Sequence, residues 1–191
     1  MERHRELMGG AIERDGAAQR LLLAGDVDGA SAAFAQASDL YRQSWEVAPP
    51  ASYGRLVGML KSAVLAHRGE EQQAAEYARA ALEDAGDDSA TAAYALAIAA
   101  LIVGDDDGAL RYAAQMRAGS DAFVRTADAI AAIAAGDRSA YAEEIGAIVR
   151  DFETRSNHLT GVPIADTALM LERLAARRGL SGSVESPLLP T

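Results

Sequence analysis

The chain has 191 residues, half of them hydrophobic but only 5% aromatic, with no cysteine and a net charge of −10. That charge opposes binding to nucleic acid or to an anionic membrane surface, both of which need basic patches. The missing thiols exclude a disulfide framework and a thiolate metal site.

Alanine, the strongest helix former, fills 44 positions, and β-branched residues are too scattered to suggest a sheet. An all-α fold of about nine helices is expected, as one domain over residues 1–179 with an irregular tail over 180–191. The first helix should run from about Glu2 to Ala24, frayed or bent at Gly9-Gly10. Gly25 ends it in the left-handed conformation. Asp26 or Asp28 caps the second helix, which continues to about Val47 and stops at Pro49-Pro50. The third spans about Ala51 to His67 and the fourth Glu70 to Asp84. Residues 85–89 read as a turn with capping chemistry. The fifth helix covers Ala90 to Val103 and the sixth Asp107 to Arg117. The seventh runs from a capping Asp121 to Ala135, and the eighth from Ser139 to Arg155. After a loop over 156–162, Pro163 is suited to the first turn of the ninth helix, where its missing amide costs nothing. That helix should end at Gly179.

A Gly-acid phrase recurs between these helices, at Gly25-Asp26, Gly69-Glu70, Gly104-Asp105 and Gly136-Asp137. The copies are separated by 44, 35 and 32 residues, the spacing of a two-helix repeat. In the first, Ala30, Phe34 and Ala37 follow the turn at offsets of 5, 9 and 12. Small side chains there let helix axes approach to about 8 Å, while one large knob fills the groove. The pattern resembles the tetratricopeptide repeat, over roughly residues 11–150. Ala18, Leu21, Gly25, Asp26, Ala30, Phe34 and Ala37 carry the likeness in unit one. Leu65, Gly69, Ala74, Ala78 and Ala81 carry it in unit two, and Leu96, Ala97, Gly104, Asp105 and Ala109 in unit three. Unit four keeps Ala129, Gly136 and Asp137 but departs at Tyr141 and Ile145. The family's terminal proline is missing from every unit. A generic helical bundle uses the same packing device.

The resemblance implies a concave surface lined by the first helix of each hairpin, a slot for a protein or peptide partner. Gln19, Leu22, Met59, Tyr94, Ile98, Phe123 and Ile130 would line it and make a non-enzymatic binding module. Asp15, Leu56, Ala63, Leu101 and Thr126 would share that face, with Asp15 its only charge. The alternative is that helix nine or the tail fills the slot, with Leu188 and Leu189 as anchors. The chain's end, Arg178-Gly179 followed by Val184, Ser186 and Leu189-Pro190, is similar to the immunity-49 family of polymorphic toxin systems. That likeness implies an acidic protein that neutralises a toxin by binding it.

No phosphate-binding loop, nucleophile elbow or dinucleotide fingerprint occurs, so no cofactor or catalytic residue is expected. His4, His67 and His158 are far apart, and Asp105-Asp106-Asp107 lacks the spacing of a calcium loop, so no metal site is expected either. Asp151, Glu153, Arg155 and His158 form the best polar constellation, which a solvated helix end explains. The charged start carries no apolar leader, and the most apolar run, Ala90 to Val103, is too short to span a bilayer; both imply a cytoplasmic location. A rival reading is a small helical enzyme or ligand-binding domain with a pocket near Tyr94, Phe123 and His158. A polar, ionisable lining in the largest cavity would favour it, and an open apolar groove would favour the binder.

Overall fold

The Gly-acid turns decide where helices stop and restart. Gly25, Gly104 and Gly136 take left-handed φ angles of 80°, 77° and 68°, and the aspartate that follows each one caps the next helix. Asp26 accepts from the Gly29 amide at 2.9 Å, Asp105 from Gly108 at 2.9 Å and Asp137 from Ala140 at 3.0 Å. Each cap satisfies an amide that a helix start leaves without a partner. The second copy, Gly69-Glu70, works differently. His67, at φ 52°, ends its helix before Gly69 is reached, and Glu70 makes no side-chain cap.

The computed structural model describes residues 2–83 and 89–190, and these contain nine helices and no strand. They are α1 (Arg3–Leu23), α2 (Val27–Glu46), α3 (Gly54–Ala66), α4 (Glu71–Ala81), α5 (Ala90–Val103), α6 (Asp106–Met116), α7 (Asp121–Ala135), α8 (Arg138–Thr154) and α9 (Asp166–Ala176). Consecutive helices pack in pairs along the chain, and α3, α5 and α7 also pack on one another in turn. The four hairpins α1–α2, α3–α4, α5–α6 and α7–α8 are thus stacked in chain order. The α3–α4 hairpin is the most loosely packed of them. α9 lies across the stack against α3, α7 and α8.

Small residues set the spacing. Ala18, Ala30, Ala33 and Ala37 are buried between α1 and α2, with Phe34 and Tyr41 as the large knobs beside them. Gly58 provides a notch for Tyr41: a Cβ there would meet the Tyr41 ring at 2.8 Å, closer than carbon atoms tolerate.

Several boundaries differ from expectation. α1 runs unbroken through Gly9 and Gly10. α3 starts at Gly54, because Ala51, at φ 62°, belongs to the preceding turn. Asp121 is the first residue of α7 rather than its cap, and Ser120 stands in the cap position without a side-chain bond. The turn expected over 85–88 lies outside the described residues; Ser89, beyond it, caps α5 by accepting from the Ala92 amide at 3.2 Å. Pro163 does not open α9, which begins three residues later. Val162, Ile164 and Ala165 are instead buried in a non-helical stretch, and the Ala165 amide donates to the Leu188 carbonyl at 2.9 Å. That long-range bond takes the place of a first helical turn.

Candidate functional site

Most of the residues expected to meet a partner lie inside the molecule. Gln19, Leu22, Met59, Tyr94, Ile98 and Ile130 are all buried, and Phe123 is half-buried. Residues 160–176 come beside Gln19, Leu22, Tyr94 and Phe123. Thr160 reaches α1, where its hydroxyl donates to Gln19 Oε1 at 2.6 Å. Gly16 makes room for this approach, since a Cβ there would stand 3.1 Å from the Thr160 carbonyl oxygen. Thr167, Met170, Leu171 and Leu174 of α9 are buried as well. An open slot along the seven expected positions is therefore not present.

A polar cluster fastens the C-terminal segment. Lys61, the chain's one lysine, reaches from α3 to Asp166 Oδ2 at 2.5 Å and to Thr167 Oγ1 at 3.3 Å. Behind it, Asp15 accepts from Gln19 Nε2 at 3.0 Å and from the Tyr41 hydroxyl at 3.3 Å. Burial, with the nearby Asp166 carboxylate, pushes the Asp15 carboxyl up to about 6, against the opposing pull of Lys61, Tyr41 and Gln19. Burial works to lower the Lys61 ammonium, but Asp166, Tyr94 and Asp15 together outweigh it and the group is raised. At the other end of α9, Arg173 donates to the carbonyls of Val64 and Leu65, and Arg178 donates to the Leu101 carbonyl and Asp106. Arg178 thereby holds α9 against α5 and α6.

Two of the accessible recesses combine apolar and charged lining in ways that could recognise a ligand. The first is a cleft beside the α8–α9 connection, made of two adjoining cavities of about 110 and 200 Å³. Phe152, Arg155 and Thr167 line both. The smaller adds Tyr94, Phe123, Arg125 and Asp151, and the larger adds Gln19, Lys61, His158 and Asp166. This is the neighbourhood of Tyr94, Phe123 and His158 that the rival reading named, and its lining is ionisable. Asp151 is the hub. Arg125 donates to its Oδ1 at 2.6 Å, and Arg155 to its Oδ2 through Nε at 3.0 Å and Nη2 at 2.5 Å. The Tyr94 hydroxyl, near Thr167 and Lys61, and His158 Nδ1 are both buried without a well-formed hydrogen bond. Sequence reading found Asp151, Arg155 and His158 as a group. It missed Arg125, which arrives from the preceding helix.

The second recess is a groove of about 440 Å³ where the loose α3–α4 hairpin leaves α2 and α4 apart. Met59, Ala63 and Ala66 of α3 form its floor, and Ala35, Ala74 and Tyr77 its apolar sides. Asp39, Arg42 and Glu70 stand on its rim. Arg42 is held between Asp39 at 2.6 Å and Glu46 at 2.5 Å, so its charge is more than matched. Among the expected residues, Met59 belongs to this groove, Tyr94, Phe123 and Gln19 to the cleft, and Leu22 to a further recess beside Phe34 and Arg173. Ile98 and Ile130 line none of these.

Among the described residues, no helix is long and apolar enough to cross a membrane, and no three His, Asp or Glu side chains gather as a metal site would require. No protein-family model, no curated protein and no solved structure matches the chain. The likenesses to tetratricopeptide repeats and to immunity proteins thus rest on the residues quoted from the sequence.

Proposed function

We propose that the protein is a non-enzymatic binding module, and that its partner docks in the groove between α2 and α4 rather than on the concave face. The supporting observation is the groove's make-up: an apolar floor under a rim that carries Asp39 and Glu70 and one cation, Arg42, which is itself paired with Asp39 and Glu46. A rim with that balance, on a chain of net charge −10, suits a basic amphipathic segment. Its apolar ridge would lie over Met59 and Ala63, with its lysines and arginines along the edges. A basic toxin, the kind of partner the C-terminal resemblance implies, is one protein of that class.

The test is a titration with two labelled amphipathic helical peptides that share a leucine ridge, one flanked by lysines and the other by glutamates. The basic peptide should bind saturably and lose affinity as salt rises. Asp39→Asn and Glu70→Gln should each weaken it about 2- to 5-fold, the ordinary range for rim charges. Ala74→Trp, which fills the groove from α4, should abolish binding. Equal binding of both peptides, or no effect of Ala74→Trp, would remove the proposal.

A further inference from the structure

The cleft beside the α8–α9 connection has a charge imbalance that the groove reading does not use. Two guanidiniums, Arg125 and Arg155, converge on one carboxylate, Asp151. Arg125 uses only Nη2 for this contact, and Arg155 only Nε and Nη2. Arg125 Nε and Nη1 and Arg155 Nη1 have no bond among the described residues. All three side chains of the triad are 27–36% exposed, so the remaining donors are within reach of a solute. A guanidinium fork with free N–H groups matches the flat pair of oxygens on a carboxylate.

The walls set the rest of the ligand. Phe152 lies under the Arg155 guanidinium at 3.8 Å, and Tyr94 and Phe123 meet edge to face at 5.8 Å. The first contact holds the plane of the fork, and the second keeps an aromatic wall beside it. Ile148 and Ala122 complete an apolar side. A cavity of ~150 Å³ accepts a benzene ring. The 110 Å³ cavity with its 200 Å³ neighbour therefore has room for a ring or short chain bearing one charged group.

We propose that this cleft binds an organic carboxylate, with the Arg125–Asp151–Arg155 triad holding the anion and Phe123 and Phe152 its apolar body. Such an anion supplies the negative charge that the triad lacks. An inorganic anion would leave the aromatic walls without a partner.

Benzoate, benzamide, inorganic phosphate and N-acetylphenylalanine serve as probes, followed by thermal melting and by NMR signals of Phe123, Phe152 and Arg155. Benzoate should raise the melting temperature saturably and move those signals; benzamide should do neither. If N-acetylphenylalanine binds at least as well as benzoate, the carboxylate belongs to the end of a polypeptide. If benzoate alone binds, it belongs to a free small acid. Arg125→Gln should weaken benzoate at least tenfold with the helical spectrum retained. Ala122→Leu, which narrows the cavity without touching a charge, should do the same. The groove variant Ala74→Trp should leave benzoate binding unchanged, which separates this site from the peptide site. No saturable response to either acid, equal binding of benzamide or phosphate, or indifference to both cleft variants would overturn the proposal.

Discussion

Asp15→Asn should change how stability depends on pH. In the folded chain the Asp15 carboxyl lies at about 6 against an ordinary 3.8, because it is only 7% exposed and faces Asp166. A carboxyl raised on folding binds its proton more tightly in the native state than in the unfolded one. Its contribution is therefore fully present below the unfolded value and is lost as pH rises through the folded one. At 1.36 kcal/mol per pKa unit, with part of the shift already lost at pH 4, the wild type should lose about 2 kcal/mol relative to Asp15→Asn between pH 4 and pH 7. Asparagine keeps an oxygen to accept from Tyr41 and carries no charge, so the variant lacks this component. Denaturant unfolding of both proteins, at one-unit steps from pH 4 to pH 8, isolates the difference. Titrating groups that do not interact with Asp15 appear in both curves and cancel. A difference that stays flat, or that grows in favour of the wild type as pH rises, would refute the account of Asp15 as a buried and repelled carboxylate.

Two further outcomes are expected. Gly58→Ala gains up to ~1 kcal/mol of helix propensity, but it drives a methyl group to 2.8 Å from the buried Tyr41 ring. Overpacking of this kind costs about 1–3 kcal/mol, so the variant should melt lower; a higher melting temperature would show that α2 and α3 separate freely. Truncation after Gly179 removes the buried Leu180 and the Leu188 carbonyl that accepts from Ala165. The loss should be about 3 kcal/mol, from one leucine and one hydrogen bond, and an unchanged melting curve would mean that the tail contributes nothing.

The helices were legible because their punctuation is local. Gly25-Asp26, Gly104-Asp105 and Gly136-Asp137 each carry a left-handed stop and a cap in adjacent residues, and three of the four copies work as that chemistry dictates. The start of α9 was not legible, because the Ala165 amide is satisfied by Leu188, more than twenty residues on. Nor was the burial of most residues expected to meet a partner. Ile98 and Ile130 have the helical spacing of an inner surface, but spacing does not say what will pack on it. The ties that hold the C-terminal segment, Lys61 to Asp166 and Gln19 to Thr160, join residues 105 and 141 positions apart. The cleft was half visible: Asp151, Arg155 and His158 share one helix end, while Arg125 joins them only through the packing of α7 on α8.

Lys61 leaves the exterior without a freely accessible side-chain amine, since the only one in the chain is clasped by Asp166. Acylating reagents that attack amines therefore have to wait for that clasp to open. The rate at which Lys61 is modified becomes a clock for the lifting of the C-terminal segment, read from the wild-type protein with no label added.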